Sequence, residues 1–338
     1  MQDQLLPLAE RLTRARRVVL TTHASPDGDG LGSELALAKG LRKLGCKVRI
    51  LNADPTPGRF RFLDAEGQIE VVPPETPIPD ADMGLVLDTH AWGMLGSLAD
   101  AFQNAPFPVA FLDHHPCKAP PPSREIFGTP EASSTGELVY FLLLAMGVAI
   151  DRDIAECLYV SLSYDTNSFK YIRSQARPLE IGAELIRCGV DTDRVYRHLF
   201  ASNPSGKLKI LGELLVKAGF VCGGKVSYVD IPNDFIRTAG VEQEALRDVV
   251  THLLEVDGVE IAVVFKEPDP GEIKVSIRSK GRVAINGVAQ DLGGGGHAFA
   301  SGVEIAGTLK SVHDDVIDRL CRLVAVPETA AEQMRARG

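Results

Sequence analysis

Residues 21–33 read TTHASPDGDGLGS, which places His23, Asp27 and Asp29 in one short loop between an apolar run and a helix-forming one. Residues 111–116 read FLDHHP, an aspartate and two adjacent histidines at the end of a second apolar run. Asp88 closes a third run in LVLDTH, and Asp165 follows apolar residues in SLSYDTNSF. Carboxylates and imidazoles without cysteine are the donors of Mn²⁺ or Mg²⁺, with Co²⁺ and Zn²⁺ also compatible. A single ion surrounded by His23, Asp27, Asp29, Asp88, His114 and Asp165 would have no open position for substrate. Two divalent ions sharing a carboxylate, about 3.5–4 Å apart, accommodate all six, and such pairs serve in-line displacement at phosphorus. Hydrolysis of a phosphate ester is the chemistry this set implies.

Each residue also has a plainer reading. Asp29 could cap the helix expected to start near Gly32, and a lone strand-end aspartate such as Asp88 is usually a turn residue. His90 reads as a surface or outlying group. Asp165 is different, because the C-terminal end of a helix disfavours a carboxylate unless a cation is near. On an extended strand neighbouring side chains point to opposite faces, so His114 and His115 should have different jobs, with Pro116 ending the strand. Further along, DLGGGGHAFASG (291–302) sets four glycines, Gly294, Gly295 and Gly296 among them, before His297. Consecutive backbone N–H groups there suit an anion-binding nest. Arg278, on the strand-like SIRSK, has a guanidinium that can fork onto a phosphate.

The elements that must position these groups alternate in the first half of the chain. RVVLTT (17–22), KVRILN (47–52), GLVLDT (84–89) and VAFLDH (109–114) read as strands. GSELALAKGLRKLG (32–45), STGELVYFLLLAMG (134–147) and DIAECLYVSLSYDT (153–166) read as helices, and the Pro-rich stretches 73–79 and 116–122 as loops. The pattern predicts an α/β fold, with an N-terminal doubly wound, mainly parallel sheet over 1–187. A linker or hinge is expected over 188–206. A smaller C-terminal α+β domain is expected over 207–330, with strands at 225–231, 259–267 and 272–280 and helices at 242–255 and 309–324.

Composition narrows the function. Of 338 residues 45% are hydrophobic and 24% charged, which is globular, and the net charge of −9 argues against a surface for long duplex nucleic acid. Metal ions in a cleft can nevertheless invert the local field for a short anionic substrate. The six cysteines, Cys46, Cys117, Cys157, Cys188, Cys222 and Cys321, form no CxxC pair and are expected to be reduced thiols. No apolar run reaches the length of a membrane span, and the N-terminal residues lack a signal-peptide core, so a soluble cytoplasmic protein is expected.

The chain resembles the DHH phosphoesterase family on HASPDGD (23–29), LDTH (87–90), DHHP (113–116), SYDTNSF (163–169) and EASSTGELVY (131–140). GGGGHAFASG (293–302) resembles the signature of the DHH-associated C-terminal domain. The resemblance implies one ion on His23, Asp27 and Asp88, and a second on Asp29, Asp88, His114 and Asp165, with Asp88 bridging and Mn²⁺ the expected metal. It implies that His115 acts at the scissile phosphate, with Asp113 orienting its neighbours, and that Arg278 and the Gly294–Gly296 and His297 loop grip phosphate from the second domain across a cleft. Within the family the compact build is most similar to enzymes that cut short oligoribonucleotides to 5′-mononucleotides and convert pAp to AMP. Hydrolysis of cyclic or linear dinucleotides is the alternative, and a homodimer is the expected assembly. Asn167 stands where this subfamily commonly has glycine, and Asn tolerates a left-handed backbone.

Overall fold

The computed structural model describes residues 2–74, 76–116, 125–172, 175–202, 205–239 and 249–325. The chain divides into two compact units, Met1–Ser202 and Asn203–Gly338. The first unit opens with α1 (Gln2–Arg14), β1 (Arg17–Thr21), α2 (Gly28–Lys43), β2 (Lys47–Asn52), β3 (Ile69–Val71) and β4 (Met83–Leu87). It continues with α3 (Ala99–Gln103), β5 (Val109–Leu112), β6 (Ile126–Phe127), α4 (Thr135–Ala145), α5 (Arg152–Asp165), α6 (Arg177–Arg187) and α7 (Thr192–Phe200).

The strands form one six-stranded sheet in the order β3-β2-β1-β4-β5-β6, and every neighbouring pair is parallel. Val18, Leu20, Leu85, Leu87 and Leu112 point into a layer shared with α1, α2, α4 and α5. Val19, Val86 and Phe111 point the other way, onto Leu95, Leu98 and Phe102. With both faces covered, these strands must be apolar on both sides. The onward connections of β1 and β4 pack on opposite faces, so these two neighbours mark a topological switch point. The loops leaving the carboxyl ends of two such strands open a crevice. The loop after β1 carries His23 and Asp27, and Asp88 directly follows β4.

Local chemistry explains where the elements start. The Gly-rich loop was expected to run to Gly32, yet α2 begins at Gly28, because Asp27 in an extended conformation accepts the N–H groups of Asp29 and Gly30. Asp27, not Asp29, is therefore the cap of this helix. The strand β5 ends at Leu112, one residue before Asp113, so the alternation rule does not govern His114 and His115; their rings lie 4.4 Å apart, edge to face. Gly32 faces the Cys157 carbonyl, where a Cβ would approach to 2.5 Å. Close contact of α2 with α5 needs a glycine there.

The second unit contains α8 (Ser205–Val216), β7 (Gly219–Val221), β8 (Val226–Ile231), α9 (Asn233–Ala239), α10 (Val249–Glu255) and β9 (Ile261–Asp269). It ends with β10 (Glu272–Ser279), α11 (Asn286–Asp291), β11 (Gly295–His297), β12 (Ala300–Ala306) and α12 (Leu309–Ala325). Its mixed sheet runs β11-β12-β10-β9-β8-β7, with β8 and β9 parallel and the other pairs antiparallel. Val263, Phe265 and Val275 pack with Val312, Val316 and Leu320 of α12. Ala262 and Val264 face Val249, Val250 and Leu253 of α10.

Two expectations change. Residues 188–206 contain α7, whose Val195 and Leu199 are buried in the core of the first unit; the amphipathic spacing of TDRVYRHLF gives it a face to bury. Cys222 and Cys321 are joined as a disulfide between the turn after β7 and α12, correcting the expectation of reduced thiols. Their Cα atoms are 5.6 Å apart, a separation that places two thiols in bonding range. Cys117, the loop 116–122 beyond Pro116, and residues 242–248 of the expected helix lie outside the described residues. Among those described, no helix is long and apolar enough to cross a membrane.

Candidate metal centre

Around the switch point the described residues bring together three overlapping groups of donor atoms, each within 4.8 Å of one another. They are His23, Asp27 and Asp88; Asp88, His114 and His115; and Asp29, His114 and Asp165. Asp88 belongs to two of them, and so does His114. Seven positions scattered over more than a hundred residues of sequence thus meet at one crevice.

His23 is held by its own backbone. Its Nδ1 lies 2.8 Å from the Ala24 carbonyl oxygen and so must donate to it. That tautomer leaves a lone pair on Nε2, which faces Asp88 Oδ2 at 3.5 Å and Asp27 Oδ1 at 3.9 Å. Thr22 ties the two strand ends together, its hydroxyl donating to the Leu87 carbonyl at 3.0 Å. Asp88 itself has φ 64°, a left-handed conformation that is uncommon outside glycine and clusters at functional sites. Its Oδ1 accepts the Thr135 hydroxyl at 3.0 Å.

Asp29 is wholly buried, and its anchors come from α4 and α5. The backbone N–H of Thr135 donates to Oδ2 at 2.8 Å and that of Gly136 to Oδ1 at 3.1 Å, while the Ser161 and Ser33 hydroxyls also donate to Oδ1. Gly136 is required here, since a Cβ would collide with the Ser161 side chain. His114 Nδ1 faces the Ala132 carbonyl at 3.3 Å, and Nε2 points at Asp165 at 3.1 Å, Asp29 at 3.6 Å and Asp88 at 3.7 Å. Beyond Asp165, Asn167, Ser168 and Phe169 all have positive φ (49°, 58° and 63°), so Asn167 adopts the left-handed backbone that its side chain tolerates.

The electrostatics follow from crowding negative charge out of water. Burial and the nearby Asp165 push Asp29 up to about 6. Burial, with Asp29, Asp27, Asp165 and Asp113 around it, holds Asp88 well above the usual carboxylate range. Burial pulls His114 down, but the Asp165 hydrogen bond and the carboxylates of Asp165, Asp29 and Asp113 outweigh it and push it up to about 9. Asp113 is also buried, yet hydrogen bonds from His115 and His90 hold it well below the usual range. It lies between two imidazoles: His115 Nδ1 donates at 2.8 Å to Oδ1, and His90 Nδ1 bonds Oδ2. Of the two readings of His90, surface or outlying to the ligands, its bond to Asp113 supports the second.

The donor set fits divalent cations. Imidazole lone pairs fixed by carbonyls at the far ring nitrogen are how metal-binding histidines are commonly oriented. Carboxylates whose ionised forms repel one another in a buried crevice gain most from a cation. Thr22, Thr135, Gly136, Ser161 and His90 complete the surroundings; of these only His90 was weighed by itself from sequence, and the Ser134–Glu137 capping spacing is the local signal that points to the α4 start.

In the second unit the register aligns Arg278 of β10 with Ala300 of β12, and Ala300 with His297 of β11. Laterally aligned residues share a sheet face, so Arg278 and His297 stand in one row on either side of Ala300. The glycine run lies partly in an edge strand. Gly293 turns at φ 89°, Gly294 packs against the Gly302 carbonyl, and Gly295 and Gly296 belong to the edge strand β11. A Cβ on Gly296 would lie 2.5 Å from the Ala300 carbonyl oxygen, so the glycines serve backbone approach between strands.

Comparison with known proteins converges on one family. The model of the DHH family, N-terminal domain, matches residues 17–162, and that of the DHHA1 domain matches residues 223–325. The bifunctional oligoribonuclease and PAP phosphatase NrnA of Thermus thermophilus is 30% identical over 295 residues, covering 86% of this chain and 84% of that protein. The crystal structure of an exopolyphosphatase-related protein from Bacteroides fragilis superposes with a TM-score of 0.85 at 25% identity, over 96% of this chain and 98% of that one. RecJ of Thermus thermophilus in complex with Mn²⁺ shares the fold, with a TM-score of 0.56 at 16% identity over 96% of this chain and 55% of that one.

Proposed function

This chain belongs to the DHH family, joining the family's N-terminal domain to a DHHA1 domain, and on that footing we propose that it hydrolyses short oligoribonucleotides to 5′-mononucleotides and pAp to AMP. The observation that carries the reading is the convergence of His23, Asp27, Asp29, Asp88, His114 and Asp165 at the switch point, with Asp88 common to two donor groups. His23, Asp27 and Asp88 would hold one divalent cation, and Asp29, Asp88, His114 and Asp165 a second, with Mn²⁺ favoured by the oxygen-rich donors. When bound, such a pair supplies Lewis-acid stabilisation of charge developing on a phosphate and lowers the pKa of nearby water.

The chain's own residues do the rest. Asp113 holds His115 through Nδ1 and through its backbone N–H at 3.2 Å. The opposite edge of that ring is then the part that meets a phosphate oxygen, on a side chain 42% exposed. Asp113 orients His90 and His115 together. Within the second unit Arg278 and His297 are the groups suited to a phosphate, Arg278 by its fork of donors, while the Gly294–Gly296 strand fixes where His297 stands. A net charge of −9 leaves affinity to such local groups, which suits a substrate of a few nucleotides and not an extended strand.

A side-by-side assay in Mn²⁺ of pAp, a diribonucleotide, linear and cyclic di-AMP, and pyrophosphate tests the proposal. Turnover of the diribonucleotide and pAp is expected to dominate, and to disappear in Asp88→Asn. Preferential turnover of cyclic di-AMP, or of pyrophosphate, would replace this reading.

A further inference from the structure

The stretch Glu131–Tyr140 leads into α4 and supplies hydrogen bonds to the candidate ligands without containing one. Its first two helical residues provide three of the hydrogen bonds that orient the candidate ligands, from Thr135 N and Gly136 N to Asp29 and from the Thr135 hydroxyl to Asp88. The aim of two carboxylates therefore depends on where this helix starts. Ser134 caps it, accepting the Glu137 N–H at 3.1 Å. In a common capping box the residue three places on reaches back to the cap itself. Here Glu137 reaches one residue further, its Oε2 accepting both the N–H of Ser133 at 2.8 Å and its hydroxyl at 2.6 Å.

The Glu137 side chain is wholly buried, and the cation that meets it comes from α6, where Arg177 Nε donates to Oε1. The same guanidinium donates to the Glu131 carbonyl at 3.1 Å and to Gln175 Oε1 at 2.9 Å. Arg177 thus grips the motif at both ends of its turn, at Glu131 and at Glu137. It also opens the helix that follows the left-handed segment after Asp165. One guanidinium ties the approach to the α4 start to the chain beyond another candidate ligand.

We propose that Arg177 and Glu137 are positioning residues for the metal centre: the pair fixes the N-terminus of α4 so that Thr135 and Gly136 hold Asp29 and Asp88 toward the cation. This rests on the proposed metal-dependent function. Neither residue belongs to any of the three donor groups. Partners one step removed from metal ligands commonly account for 10- to 100-fold in affinity, and the pair is expected to act at that scale.

Calorimetric titration of the full, metal-stripped chain with Mn²⁺ alone is the test. Removing Arg177 leaves a buried carboxylate without its cation, which can unfold a protein outright, so Arg177→Ala is paired with the neutral double variant Glu137→Gln/Arg177→Gln. The double variant, folded by circular dichroism, is expected to bind Mn²⁺ about 10- to 100-fold more weakly than wild type. Its kcat on pAp should recover at saturating Mn²⁺, and Arg177→Lys should restore part of the affinity. A folded double variant with wild-type Mn²⁺ affinity overturns the positioning role, even if it melts at a lower temperature. If the wild-type chain itself binds no Mn²⁺, the metal-dependent function falls too, which distinguishes the two failures.

Discussion

The two sheets of this protein treat charge in opposite ways. At the carboxyl edge of the parallel sheet, Asp29, Asp88 and His114 are all buried, with carboxylates close enough to disfavour their own ionisation. On the mixed sheet, Arg278 and His297 stand half-buried in a single row on either side of Ala300. The first arrangement is unfavourable until a cation arrives, whereas the second sets a guanidinium and an imidazole on one sheet face without a cluster of buried carboxylates. Stability and function should therefore conflict in the first region and be separable in the second.

The largest effect should come from Asp88→Asn. Asparagine keeps an acceptor for the Thr135 hydroxyl and suits φ 64° at least as well as aspartate. It removes a carboxylate that burial and four neighbouring aspartates hold well above its ordinary range. Metal-dependent turnover should vanish, while the metal-free protein melts at a higher temperature than metal-free wild type at pH 8, as measured by calorimetric scanning. A lower melting temperature with intact folding would mean that the carboxylate crowd is not strained, and the contrast between the sheets would collapse.

A smaller and cleaner effect is expected in the second unit. Arg278→Ala and His297→Ala each remove one proposed phosphate contact. A hydrogen bond to a charged group is worth about 1.5–3 kcal/mol, or roughly a 10- to 100-fold rise in KM for pAp. Mn²⁺ affinity and the melting temperature should stay close to wild type. Loss of metal affinity in either variant would erase the division of labour between the units.

The two aspartates of the first motif show what sequence can reveal. Asp27 and Asp29 are equivalent as text, and both are legible as candidate ligands because a strand precedes them and glycines follow. Their environments are not legible. Asp27 is anchored within its own helix by Asp29 N and Gly30 N, a local effect that capping rules describe. Asp29 is anchored by residues 106 and 107 positions away, which only the packing of α4 against α2 brings near. The same division holds elsewhere. The strand runs and their parallel order follow from apolar continuity, and the donor types reveal the chemistry. The His90–Asp113 bond joins two loop residues, and the Cys222–Cys321 bond joins a turn to a helix. No periodicity encodes either pairing. The glycine run is open in sequence for a related reason: a nest and an edge strand pressed against its neighbour both demand glycine, and only the register places Gly295 and Gly296 in a strand.

The smallest predicted effect lies one turn beyond the metal centre and isolates burial from cation binding. Glu34 is wholly buried on α2, where Asn52 Nδ2 donates to Oε1 at 2.8 Å while Oε2 meets no donor among the described residues. Burial, opposed by the Asn52 bond and reinforced by Asp64, pushes its carboxyl from 4.5 up to about 8. Between those values the folded chain holds a proton that the unfolded chain has released, so stability must fall as pH rises through that window. Glu34→Gln keeps the size and the acceptor, supplies a donor, and carries no titration. Its melting temperature relative to wild type should change little at pH 5 and rise by several degrees at pH 8.5, given that 1 kcal/mol moves a domain of about 150–250 residues by roughly 2–4 °C. Glu34 is not a proposed ligand, so Mn²⁺ affinity should be the same in both proteins. A melting difference that stays constant from pH 5 to pH 8.5 would show that Glu34 is ionised in the fold, and that burial alone does not set the charge state at this edge of the sheet.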